Sequence, residues 1–225
     1  MKDGERLKAI VLRRTDYAEA DRVLQLLTPK GRRAVIAKGV RRERSKLAGG
    51  IELFAVCDVV IRSGRGNLGL LTSARLVDFY RHILEDYERM QFAYQVLKLV
   101  AAASESIDEP EWFYVLSQVL SQLNDGHVNR QLIETWFYVQ YAGLLGDDLN
   151  LQTDVAANPL LSDKRYMYDS GEKSLRLSEQ GDITANHIKL LRLIQAKPLD
   201  NLVQIGGIEE VIPGCWLVAR QHAAV

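Results

Sequence analysis

Leu27-Thr28-Pro29-Lys30-Gly31-Arg32-Arg33-Ala34-Val35-Ile36-Ala37-Lys38-Gly39 decides how the first third of the chain folds. Thr28-Pro29-Lys30-Gly31 is a tight turn, because proline presets φ and glycine tolerates positive φ. Before it, Arg22 to Thr28 carries Val23, Leu24, Leu26 and Leu27. After it, Arg32 to Lys38 is centred on Ala34, Val35, Ile36 and Ala37. Strand, short turn and strand predict a hairpin. Working outward, Lys8 to Arg14 is a further strand, with Ile10 and Leu12 on one face and Ala9 and Val11 on the other. Ile51 to Arg62 is apolar and β-branched, Ser63 to Asn67 is a turn cluster, and Leu68 to Phe79 closes the set.

Five short strands in this span predict a small closed barrel, such as the five-stranded oligonucleotide-binding fold. The pattern then changes period. Between Tyr80 and Ala103 apolar residues recur at helical spacing. Asp108-Glu109-Pro110-Glu111 starts a second helix, Asn124-Asp125-Gly126 breaks it, and a third runs from about His127 to Leu145. Tyr166-Met167-Tyr168 and Ser174 to Leu177 read as a small hairpin, followed by a helix over about Ile183 to Ala196. Pro213-Gly214 interrupts the last apolar run and weakens a final helix there. The expected class is α+β: an oligonucleotide-binding β-barrel over 1–79, then an α-helical domain over 80–225 with a hairpin at about 150–180.

The 225 residues hold 29 basic and 29 acidic side chains, a formal net charge of zero. That zero conceals an asymmetry. Residues 1–80 carry 17 Lys+Arg against 9 Asp+Glu, a net of +8, and the remainder carries 12 against 20, a net of −8. Such a split predicts two surfaces with different partners. A hydrophobic content of 47% and a charged content of 26% suit a globular protein and exclude wholesale disorder. The charged start MKDGERLK is no signal peptide, and no uncharged stretch approaches the ~20 residues of a spanning helix. The expected location is the cytoplasm, in association with the nucleoid and away from membranes.

The densest charge lies between Lys30 and Lys46: Lys30, Arg32, Arg33, Lys38, Arg41, Arg42, Arg44 and Lys46 against Glu43 alone, a net of +7. A hairpin and its following loop can present these charges to phosphates, whose counterions are released on binding. Arg62 and Arg65 flank the next turn, and Arg13 and Arg14 end the first strand; both pairs extend the track. Tyr17 and Phe54 are nearby aromatics that could stack on bases. The set predicted to bind nucleic acid or another polyanion is therefore Arg14, Tyr17, Lys30, Arg32, Arg33, Lys38, Arg41, Arg42, Arg44, Lys46, Arg62 and Arg65.

Other patterns carry less. Gly64-Arg65-Gly66-Asn67-Leu68-Gly69 fits GxGxxG, but a dinucleotide site needs a helix to open there, and Leu70 to Arg75 reads as a strand. Cys57 and Cys215 sit in apolar runs without metal spacing, the four histidines have no ligand motif, and Asp147, Asp148 and Asp154 lack a calcium-loop pattern. No nucleophile elbow or P-loop appears. These features predict a protein with no catalytic residue, metal or cofactor.

Lys8-Ala9-Ile10-Val11-Leu12, Tyr17-Ala18-Glu19-Ala20-Asp21-Arg22, Leu27-Thr28-Pro29-Lys30-Gly31, Ala37-Lys38-Gly39-Val40-Arg41-Arg42 and Ser45-Lys46-Leu47-Ala48-Gly49 together resemble the RecO family of bacterial recombination mediators. The resemblance continues more weakly to Leu144-Leu145-Gly146 and Asn150-Leu151. It implies binding of single-stranded and double-stranded DNA, strand annealing, cooperation with RecR, docking on the acidic C-terminal tail of single-strand-binding protein, and loading of RecA. Many members carry a four-cysteine zinc element after the third helix. Leu151 to Leu177 has no cysteine, so a zinc-free hairpin is expected. In the third helix, Arg130 is the candidate for the tail carboxylate, with Trp136 and Phe137 as pocket walls. The competing function class is a protein-interaction scaffold whose basic barrel binds an acidic protein.

Overall fold

The computed structural model describes residues 4–224, apart from the Arg65 side chain. The chain divides into two compact units, one ending at Asp125 and the other starting at Gly126.

Five strands open the first unit: β1 (Glu5–Tyr17), β2 (Asp21–Thr28), β3 (Gly31–Ala37), β4 (Ala55–Arg65) and β5 (Leu68–Phe79). They close into a barrel of order β1-β2-β3-β5-β4, with β4 returning to β1. All neighbours are antiparallel except β3 and β5, which meet in parallel through Val35–Gly69 and Ile36–Leu70. The alternation of the sequence supplies the interior: Ala9, Val11, Leu24, Leu26, Val35, Ala37, Cys57, Val59 and Leu71 form one buried cluster. Gly31, at φ +85°, makes the predicted β2–β3 turn, and Thr28 Oγ1 donates to its carbonyl at 2.7 Å. The GxGxxG stretch is the β4–β5 hairpin, with Gly66 at φ +61° and strand on both sides.

On β1 the outward residues Ile10 and Leu12 are buried as well. Their cover comes from α1 (Tyr87–Ser106) and α2 (Glu111–Asn124), which both pack on β1. A 3₁₀ turn, Arg81–Glu85, precedes α1 where the periodicity suggests a longer helix from Tyr80. Asp86 ends that turn and caps α1, accepting from the Arg89 amide at 3.0 Å. Arg89 is buried and donates Nη1 to the carbonyls of Leu123 at 3.0 Å and Asp125 at 2.9 Å. A cation at these terminal carbonyls suits the negative end of the α2 dipole.

In the second unit α3 (Arg130–Leu144) lies along α6 (Ile212–Ala223), and α4 (Ala185–Ala196) packs on both. The short α5 spans Leu199–Leu202. α6 forms despite Pro213, because proline sits in its first turn, where no intrahelical partner for its nitrogen is needed. The predicted hairpin is β6 (Tyr166–Asp169) with β7 (Ser174–Leu177); Asp169 accepts from the Gly171 and Glu172 amides at its turn. Tyr168 joins this hairpin to α6 by a 2.9 Å hydrogen bond to His222 Nδ1. Burial, then Asp147 and Asp169, push the Tyr168 hydroxyl up to about 12, so it keeps its proton and donates. His222 Nε2 then donates to the Asp147 carbonyl at 2.8 Å.

Candidate nucleic-acid interface

The loop after β3 is built from the inside out. Val40 and Ile51 are buried feet in the barrel core, with Leu47 packed against that core. Backbone contacts then tie the loop to the β1–β2 turn: the Arg41 amide donates to the Ala20 carbonyl at 2.9 Å, and the Gly39 amide donates to Asp21 Oδ1 at 2.7 Å. Asp16, in the same region, accepts from Arg22 Nε at 2.8 Å and lies 3.5 Å from Arg41 Nη1. The hydrogen bond from Arg22 holds the Asp16 carboxyl below its ordinary range; desolvation opposes it, and the charges of Arg41, Arg22 and Arg14 add support.

This anchoring leaves the cations outside. Lys38, Arg42, Arg44 and Lys46 are exposed, and among the described residues no carboxylate pairs with them. Tyr17 is 56% exposed on the turn to which the loop is tied. Arg14 takes a different part: its Nη1 reaches Glu52 Oε2 at 3.1 Å and braces the far foot of the loop. Phe54 is buried and meets Tyr94 edge-on at a centroid separation of 4.8 Å. It is a core residue, and the stacking platform read from sequence reduces to Tyr17.

The other half of the basic run sits at the opposite end of β3. Four residues of strand, Ala34 to Ala37, lie between Arg33 and Lys38, about 16 Å over five steps at ~3.3 Å per residue. Lys30 Nζ pairs with Glu5 at 2.9 Å. Arg32 is held at both ends, its amide donating to Asp108 Oδ1 at 2.6 Å and Nη2 pairing with Glu105 at 2.8 Å. Its side chain is 18% exposed. Arg33 donates to the Arg32 carbonyl at 2.7 Å and lines a cleft of about 300 Å³ with Glu5, Arg62 and the glycines of the β4–β5 turn. Arg62 is exposed in that cleft; the Arg65 side chain lies outside the described residues. One run in sequence is therefore two groups in space.

In the second unit Arg130 pairs with Glu134 one turn along α3, and Glu134 also accepts from Trp216 Nε1. Trp136 is 3% exposed and donates Nε1 to the Lys197 carbonyl at 2.9 Å. Phe137 is wholly buried between helices. The structure places both rings inside the unit's core, where the sequence suggests the walls of an open pocket. Trp216 on α6 is half-buried, with Arg220 stacked over its ring at 5.2 Å.

Cys57 and Cys215 are both buried, and burial raises their thiols to about 11 and about 12, with Glu52 and Asp58 adding to the effect at Cys57. Neither is a thiolate near neutral pH. Among the described residues no three His, Cys, Asp or Glu side chains converge as metal ligands, and no helix is long and apolar enough to cross a membrane.

A closed barrel of order β1-β2-β3-β5-β4 carrying a basic loop defines an oligonucleotide-binding-type barrel protein with appended helices. The family descriptions "Recombination protein O N terminal" and "Recombination protein O C terminal" match residues 1–80 and 84–212. The chain belongs to the RecO family. It is 38% identical over 122 residues to the DNA repair protein RecO of Roseiflexus sp. (strain RS-1), covering 54% of this chain and 43% of that protein. It is 28% identical over 158 residues to that of Syntrophomonas wolfei, covering 69% of this chain and 58% of the relative. The match to the Dehalococcoides mccartyi (strain ATCC BAA-2266 / KCTC 15142 / 195) protein is also 28% identical, over 223 residues, 96% of this chain and 87% of that one. Two of these three relatives are thus matched over roughly half their length.

Proposed function

We propose that this protein is a non-enzymatic recombination mediator in DNA repair that binds single-stranded and double-stranded DNA and anneals strands. In the cell it would help load RecA onto DNA coated with single-strand-binding protein, in cooperation with RecR. The observation that carries the reading is the loop after β3, where Lys38, Arg42, Arg44 and Lys46 are exposed, without carboxylate partners among the described residues, beside exposed Tyr17. Cations held on a braced loop lose little freedom when they meet phosphates, and an adjacent ring gives a base a surface to stack on. Arg41, shared with Asp16, is the fifth contact.

Docking of the acidic tail of single-strand-binding protein belongs to the second unit in this reading. Arg130 supplies the positive charge, and Trp136 and Phe137 act from the core by fixing α3 beneath it. The protein's work in the nucleoid-bearing compartment requires no covalent step.

The test is titration of labelled oligothymidylate at several salt concentrations. Five phosphate contacts give a slope of log K against log salt of about −3.5 for a single strand. Binding that ignores salt, or that survives Arg41→Ala with Arg42→Ala unchanged, overturns the reading.

A further inference from the structure

Alternation along β1 places Arg6 and Lys8 on the same outward face as Ile10 and Leu12. The helices cover only the second pair: Ile10 and Leu12 are buried, whereas Arg6 and Lys8 are exposed. The register continues this bare half across two more strands. Arg6 lies opposite Val60 and Lys8 opposite Asp58 on β4; Val60 lies opposite Ser73 and Asp58 opposite Arg75 on β5. The two rows enclose an open cleft of about 550 Å³. Arg75 pairs with Asp58 at 2.6 Å, but both side chains are well exposed, and such a pair exchanges readily for another anion. Among the described residues Arg6 and Lys8 have no carboxylate in ion-pair contact. Three cations face one anion across three strands, roughly 10 Å wide at ~5 Å per strand.

We infer that this face of β1, β4 and β5 is a second nucleic-acid site, which takes the backbone of a separate single strand while the loop after β3 holds the first. The inference rests on the DNA-binding reading above and adds the place of the partner strand in annealing. The two sites are distinct surfaces. Arg6 and Tyr17 lie eleven residues apart on β1, on the order of 35 Å of strand contour. A sugar-phosphate backbone is the occupant the chemistry favours. Val60 is the one apolar side chain pointing outward between the cations, and a protein partner would need a larger apolar centre to bury.

The experiment uses the full chain and two non-complementary oligothymidylates carrying donor and acceptor dyes, so that base pairing cannot bring them together. The unaltered protein gives energy transfer between the two strands, with a salt slope for the second strand of about −2 for three contacts. Arg6→Gln with Lys8→Gln and Arg75→Gln abolishes the transfer, leaves first-strand affinity within about twofold, and slows annealing of complementary strands at least tenfold. Arg75→Gln alone gives a partial loss, and thermal melting checks that both variants are folded. Transfer that persists in the triple variant overturns the second site while leaving the DNA-binding reading intact. Failure of the unaltered protein to bind either strand overturns both. Polyglutamate that binds the unaltered protein but not the triple variant, with no second strand taken up, assigns the face to an acidic protein and overturns the inference.

Discussion

The two ends of β3 carry the same residue types within one short stretch of sequence, and the fold gives them opposite fates. At the turn end, Lys30 and Arg32 find Glu5, Glu105 and the Asp108 carboxylate inside their own unit. At the loop end, Lys38, Arg42, Arg44 and Lys46 find none among the described residues, and the neighbouring carboxylates of Asp21 and Asp16 are used on the Gly39 amide and on Arg22 and Arg41. A basic residue's role is thus decided by whether the folded chain already supplies its anion. Charge counting along the sequence cannot see that difference, because Glu105 and Asp108 lie more than seventy positions from Arg32.

The contrast is most exposed to failure at the loop. Replacing Lys38, Arg42, Arg44 and Lys46 together by alanine should lower single-strand affinity roughly 100-fold and flatten the salt slope by about 2.8, at an unchanged melting temperature. Fluorescence anisotropy at several salt concentrations reads both effects. Tyr17→Ala should weaken single-strand binding by about 1–3 kcal/mol without altering the salt slope, since a stacked base releases no counterion. A change in slope would show that Tyr17 acts by organising the loop.

At the turn end the expected effects reverse. Arg32→Ala should lower stability by about 0.5–1 kcal/mol in a urea titration, the scale of an exposed ion pair, and change DNA affinity less than about twofold. A larger loss of affinity than of stability would place Arg32 in the interface and erase the distinction between the two ends. The smallest effect concerns pH. The Asp16 carboxyl is depressed in the folded state by Arg22, so its contribution is complete above the unfolded value of about 3.9 and is lost as pH falls through the folded value. Asp16→Asn should therefore lower stability slightly at pH 7, where the charged carboxylate is in place, and remove part of the acid sensitivity of the Tyr17 signal below about pH 4.

Much of this architecture is legible in the chain. Ala9 and Val11 inward with Ile10 and Leu12 outward already mark β1 as apolar on both sides, and the structure supplies the helices that require it. Thr28-Pro29-Lys30-Gly31 and the β6–β7 turn follow directly from local conformational preferences. The site is less legible. Tyr17 and the loop cations could be named because exposure there follows from a polar loop. The brace from Arg14 to Glu52, the burial of Phe54 and the burial of Trp136 and Phe137 depend on elements far away in sequence. Arg6, Lys8 and Arg75 escape notice because no two of them form a run, and only the register of three strands gathers them. Alternation at positions 6 and 8 beside a pairing partner at 75 is the signal that could have found them.

The division at Asp125 also has a consequence for biosynthesis. The barrel closes on β1 with β4, and its helical cover is finished by Asn124, so every contact inside the first unit is available before the second begins to be made. At translation rates of about 5–20 residues per second, that unit has on the order of 5–20 s in which to settle alone. The second unit has no such interval. Its central helix α3 is buried against α6, which is synthesised last among the described elements, and His222 on α6 secures the β6–β7 hairpin. Until α6 emerges, the side of α3 that it covers remains open on the nascent chain, and this is the interval in which a chaperone would have something to hold.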